Sequence, residues 1–163
     1  MGTFNAKILA EFQPPRKWKL GRDLTYSTKD LMGDEIKALQ DIGVKVNRDT
    51  DISPVDITVP TEFMTDLAST PRALWAFIAP FDVARAAIVH DLLYKTIRQY
   101  RWNKGDIEED KTLIKKAKVV AAKVFLLAMK DAQPKVAGWK IWSAWKAVDL
   151  FGRWSIVPNE KNI

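Results

Sequence analysis

Val55-Asp56-Ile57-Thr58-Val59-Pro60, followed after a short gap by Thr65-Asp66-Leu67-Ala68-Ser69-Thr70-Pro71, is where the chain changes its period. Val55, Ile57 and Val59 alternate with Asp56 and Thr58, the two-residue repeat of a half-buried strand. Thr70 before Pro71 has the form of a helix N-cap with proline in the first helical position. From Ser69 onward apolar residues recur at helical spacing. Strand patterns lie before this junction and helical patterns after it, which predicts an α+β fold.

Working back toward the amino terminus, Val44 and Val46 alternate with Lys45 and Asn47 as a further strand, and Asn47–Pro54 is polar turn material. Lys29–Asp41 reads as a helix, with Met32, Ile36 and Leu39 on one face and Gly43 just beyond. Ala6–Phe12 is a candidate first strand closed by Pro14-Pro15, and Trp18–Tyr26 a second strand or hairpin arm. Working forward, a short helix over Pro71–Ile78 precedes one over Val83–Arg98. Asp106-Ile107-Glu108-Glu109 then places acids where a helix start favours them. That helix, Ile107–Ala132, carries the stripe Leu113, Ala117, Val120, Val124 and Leu127. Pro134 ends it, and a last helix spans Lys135–Phe151, ahead of Gly152. The expectation is a small antiparallel strand-rich N-terminal half packed on a C-terminal bundle of about four helices. Residues 1–153 form one domain in this expectation, and residues 154–163 a flexible tail.

Composition excludes several function classes. The chain has 163 residues, 26 Lys+Arg against 20 Asp+Glu, one His and no Cys. A chain of this length buries roughly two thirds of its unfolded surface, enough for a real core. Without Cys there is no disulfide scaffold, thiolate zinc site, iron–sulfur cluster or Cys nucleophile. With one His, any site needing two imidazoles from one chain is excluded. The net charge of +6 and the pI near 9.5 favour anionic neighbours: nucleic acid, nucleotide, anionic lipid or an acidic protein. The first residues lack the apolar core of a secretory signal. Lys123 breaks the longest apolar run, Val119–Met129, so no transmembrane segment is expected. These features predict a soluble, cytoplasmic protein.

The polar residues with chemical potential are few. Val89-His90-Asp91-Leu92-Leu93-Tyr94 falls in the middle of an apolar helix, where His90, Asp91 and Tyr94 can approach one edge. Asp91 has no capping role there, and an acid among apolar residues requires a partner. Asp66 and Ser69 lie at the strand-to-helix junction. Each residue has an ordinary structural explanation: Asp66 as a turn residue, Ser69 as a cap, His90 and Tyr94 as satisfied core side chains. Taken together, Asp66, Ser69, His90, Asp91 and Tyr94 are the candidate site. Asp66, His90 and Asp91 are its candidate metal ligands, an oxygen-rich set suited to Mg²⁺ or Mn²⁺, although no cofactor at all is the preferred expectation. A Ser69 nucleophile with His90 as base is the weaker chemistry, because no G-x-S-x-G turn surrounds the serine.

Trp139, Trp142 and Trp145 are three apart on the last helix, among Lys135, Lys140, Lys146 and Arg153. Such a helix can lie on a membrane surface or stack nucleic-acid bases. The preferred explanation is that the tryptophans, Val148 and Phe151 are packing residues and the lysines a solvated face.

Ile57-Thr58-Val59-Pro60-Thr61-Glu62-Phe63-Met64-Thr65-Asp66-Leu67-Ala68-Ser69-Thr70-Pro71-Arg72 and Ala87-Ile88-Val89-His90-Asp91-Leu92-Leu93-Tyr94 together resemble the phage and prophage family called domain of unknown function 1353. Its pattern resembles V-P-x-G-F-x-T-D-x-A-S-x-P-R followed by A-x-x-x-H-D-x-L-Y. Phe125-Leu126-Leu127-Ala128-Met129 and the Trp-rich Trp142–Gly152 end are also similar. The resemblance spans most of residues 17–152 and carries over Asp66, Ser69, Pro71, His90, Asp91 and Tyr94. Glu62 stands where the pattern has glycine. Ala122 stands where the resemblance implies an acid, and Lys29–Asp41 resembles an insertion. The resemblance implies a phage origin, with the host bacterial cytoplasm or the virion as location, and assigns no activity.

Two functions follow as expectations. One is a phage accessory or virion-associated protein that binds a phage virion protein, a host protein or an anionic partner such as nucleic acid, with the polar set as a buried network. The alternative is a small hydrolase, with or without Mg²⁺ or Mn²⁺ on the ligand set above, using Asp66, His90 and Asp91 on a phosphate ester or a cell-wall bond.

Overall fold

A computed structural model of the chain describes residues 1–15, 17–65, 80–104, 110–133, 135–160 and 162–163, without the side chains of residues 80–82, 149–151 and 153. The elements are β1 (Thr3–Phe4), β2 (Ala10–Gln13), β3 (Lys17–Leu20), β4 (Leu24–Thr28), α1 (Gly33–Asp41), β5 (Val46–Asn47), β6 (Val55–Val59), β7 (Met64–Thr65), α2 (Pro80–Lys104), α3 (Lys111–Lys130) and α4 (Gly138–Ser155). The arrangement is α+β, with antiparallel sheets in front and helices behind. Among the described residues three helices follow the strands, and α1 packs onto α3 as a fourth. The helix expected at Pro71–Ile78 lies outside the described residues.

The alternation of Val55-Asp56-Ile57-Thr58-Val59 does what it predicts. β6 pairs antiparallel with β4, in the register Leu24↔Val59, Tyr26↔Ile57 and Thr28↔Val55, and all six of these side chains are buried. A one-residue slip would turn every one of them to solvent, so burial fixes the register. The first sheet runs β1-β4-β6-β5 and the second β2-β3-β7.

The expected strand over Trp18–Tyr26 is in fact two strands in two sheets. The chain leaves β3 at Gly21, whose N–H donates to Leu9 O at 2.8 Å, and re-enters the first sheet at Leu24. Of the expected strand Ala6–Phe12, only Ala10–Phe12 lies in a strand, β2 of the second sheet. Of the strand expected around Val44 and Val46, only Val46–Asn47 pairs. Val44 instead donates to Leu39 O and Gly43 to Gln40 O, each at 2.9 Å. These two bonds close α1 as a Schellman motif, with Gly43 at φ 96° where an L side chain is strained.

α2 is buried on most of its circumference, through Val83, Ala86, Ile88, Val89, Leu93 and Ile97. It packs against α3 and against β4 and β6, as a helix apolar nearly all round must. It runs past both ends of the expected span Val83–Arg98. α3 presents Ala117, Ala121 and Ala128 among larger residues, and all three are buried; small side chains let a helix approach its neighbours closely. Two ion pairs fasten α1 to α3: Lys116 Nζ to Asp34 at 2.8 Å and Lys123 Nζ to Glu35 at 2.7 Å. The last helix continues through Gly152 to Ser155 rather than stopping at Phe151. Beyond it, Arg98 donates to the carbonyls of Asn162 (2.7 Å) and Ser155 (3.1 Å), and Arg101 to that of Ile156 (2.8 Å).

Candidate functional site

His90, Asp91 and Tyr94 lie in the middle of α2. Consecutive residues on a helix point about 100° apart and residues four apart point nearly the same way. His90 and Tyr94 accordingly meet, with ring centroids 3.9 Å apart, and Phe125 of α3 faces the imidazole at 5.0 Å. His90 is only 8% exposed. Its Nε2 is buried and has no hydrogen-bond partner among the described residues. Burial, reinforced by the positive charges of Arg98 and then Lys118, pushes the imidazole down from 6.5 to about 3. The ring is neutral at physiological pH, because charging it in an aromatic pocket would leave the charge desolvated and opposed by like charges.

Asp91 has a different neighbourhood. Thr65 Oγ1, at the end of β7, donates to Asp91 Oδ2 at 2.6 Å. This bond answers the partner that a carboxylate on an apolar helix requires. It ties the last strand of the front half to the central helix of the back half. Sequence reasoning passed over Thr65 as part of the polar junction; its signal was its place at the end of a strand, next to Asp66.

Tyr94 extends the group to the last helix. Its hydroxyl packs on the backbone of Gly152 in α4, where a Cβ would collide with that oxygen and would stand 3.2 Å from Cζ and 3.1 Å from Lys118 Cε. Gly152 therefore does not end the helix; it lets α4 close on Tyr94. Phe125, Lys118 and Gly152 were not legible as site residues, because nothing in a one-dimensional pattern says which helix faces meet.

Asp66 and Ser69 lie outside the described residues. Among the described residues no three His, Asp or Glu side chains gather as metal ligands. His90 and Asp91, two members of the candidate metal set, point to different surroundings: aromatic rings for one and the strand hydroxyl for the other. Ala122, where the resemblance implies an acid, is buried one turn before Phe125. It brings no carboxylate to the face of α3 that meets the imidazole.

Glu62, the other departure, sits at φ 66°. That left-handed backbone explains a glycine in the pattern, since only glycine adopts it without strain. Here the glutamate side chain accepts from Lys19 Nζ at 2.9 Å, across the junction between β3 and the segment leading into β7.

A family model described as "Protein of unknown function (DUF1353)" matches residues 43–148, more than half of the chain. The chain belongs to that family. The matched span includes β5, β6, β7, α2, α3 and the first part of α4, and therefore His90, Asp91, Tyr94 and Phe125. β4, which pairs along the whole of β6, and α1 lie outside it. No curated protein and no solved structure matches the chain.

The preferred packing role for the tryptophans of the last helix needs correction. Trp139 and Trp142 are 57% and 61% exposed; Trp145 and Val148 pack against the core. The core face of α4 is made instead by Ile141, Ala144 and Ala147, one residue out of phase with the first two tryptophans. Phe151 has no described side chain.

Proposed function

We propose that the chain is an accessory or virion-associated protein of phage type that acts by binding a partner, with His90, Asp91 and Tyr94 locking the helical half to the strand half. The observation that carries this reading is the imidazole packed against Tyr94 and Phe125, at 3.9 and 5.0 Å, with its basicity lowered to about 3. A general base works best when its pKa lies near the operating pH, and this ring is far below it. Thr65 holding Asp91 supports the same role, because it engages the neighbouring carboxylate in a bond between the two halves. The phage setting implied by the motif resemblance makes a virion protein, a host protein or another anionic surface the partner, in the host bacterial cytoplasm or the virion.

One observation favours a second reading, a small hydrolase in which His90 acts on a phosphate ester or cell-wall bond with Asp66 and Asp91: the imidazole Nε2 has no hydrogen-bond partner among the described residues. His90→Gln separates the two when a thermal melt is run beside an infection or partner-capture assay. The binding reading predicts lower stability, by about 1–3 kcal/mol for an amide left unsatisfied in a buried aromatic pocket, with function retained wherever the variant is folded. Unchanged stability with abolished function overturns it in favour of the hydrolase.

A further inference from the structure

We infer that the face of α4 bearing Trp139 and Trp142, with the lysines beside them, docks on the headgroup zone of an anionic lipid bilayer. This rests on the reading that the chain works by binding, and it names the surface and the partner.

Three observations carry it. Exposed Trp139, Trp142 and Lys146 follow one stripe of α4, with exposed Lys135 just before the helix, and the two indoles are 57% and 61% exposed. Indoles with an apolar body and one polar edge favour the boundary between water and lipid. Second, the charge beside them is mainly positive, with Asp149 the acid of α4. Residues 111–130 and 135–148 hold nine lysines and no acid. Asp131, between them, is turned inward, accepting from Gly2 N–H and Tyr26 Oη, each at 2.7 Å. Lys116 and Lys123 are engaged by α1. Lys118 lies beside Gly152, and α3 and α4 pack against each other. Third, the face of the Trp139 ring is not open for stacking. A nucleic-acid strand is bound in a basic groove with open ring faces for stacking, whereas here Lys140 Nζ stands over the Trp139 ring at 5.9 Å. Exposed indoles flanked by ammonium groups fit a planar anionic surface.

The full chain is mixed with vesicles of phosphatidylcholine alone and of equal parts phosphatidylcholine and phosphatidylglycerol, and sedimented. Lys135, Lys140 and Lys146 near the surface should favour the anionic vesicles by about a hundredfold, falling as salt is added. The double variant Trp139→Ser, Trp142→Ser should lose at least about tenfold in affinity with an unchanged melt, since neither ring is in the core. Phe12→Ser, an exposed aromatic on β2, should bind as the parent does. Equal affinity for both vesicles, no sedimentation with either, or full affinity in the double variant overturns the inference. Tryptophan-dependent binding to a single-stranded oligonucleotide without vesicle binding overturns it in favour of nucleic acid. Any of these results leaves the His90→Gln comparison untouched, so failure of the docking face and failure of the binding reading are told apart.

Discussion

Acidification from about pH 7.5 to about pH 5 should destabilise this protein through a single side chain. His90 is the one histidine, so between the carboxylates and the lysines no other side chain has an ordinary value in that window. Its folded-state value is about 3 against 6.5 for the free group. The sign follows directly. The unfolded chain takes up a proton below pH 6.5 and the folded chain does not, so the stability present above pH 6.5 is lost as pH falls. Each pH unit below 6.5 costs about 1.4 kcal/mol until the folded-state value is reached. By about pH 5 the loss is about 2 kcal/mol, or about 4–8 °C in the melting midpoint of a domain this size. Urea melts at the two pH values measure it. His90→Gln, which cannot take up a proton, should start less stable yet lose the slope across that window. A wild-type stability that stays flat from neutral to mildly acid pH, or a slope that survives in His90→Gln, would refute the buried neutral imidazole.

Other perturbations have defined outcomes. Gly152→Ala should destabilise by about 1–3 kcal/mol in urea melts, because the new Cβ forces the Tyr94 ring off the imidazole, and overpacking outweighs the roughly 1 kcal/mol that alanine adds in a helix interior. Asp131→Ala leaves the buried Tyr26 hydroxyl without the acceptor it uses at 2.7 Å; the expected loss is about 1–3 kcal/mol in the same melts, and a neutral effect would show that this carboxylate holds nothing. Thr65→Val keeps the shape and removes the bond to Asp91, with a loss of about 1–3 kcal/mol expected, since the acceptor is charged.

The alternating and helical periods made the α+β division legible, because each period buries one face and the burial is local to the element. The split of Trp18–Tyr26 between two sheets was not legible. It depends on where Leu9 offers a carbonyl to Gly21, a contact between distant parts of the chain. Gly152 misled for a related reason: its use is to let Tyr94 approach, and a close approach between helices leaves no periodic trace. Trp139 and Trp142 misled because indole is apolar by composition, whereas their place on the helix, off the face made by Ile141 and Ala144, puts them in water. Within the site, His90 and Tyr94 were readable as a pair from their four-residue spacing. Their partners on Thr65, Phe125 and Gly152 come from three other elements, and only the tertiary structure brings these together.

The account stands on His90 being a neutral packing group, and the imidazole carbon and nitrogen chemical shifts of this single histidine report its charge without ambiguity of assignment. Followed by NMR as pH is lowered, they should keep neutral values until the protein unfolds. A reversible titration of the folded protein close to pH 6.5, the ordinary value of the free group, would contradict it and return the imidazole to the hydrolytic reading.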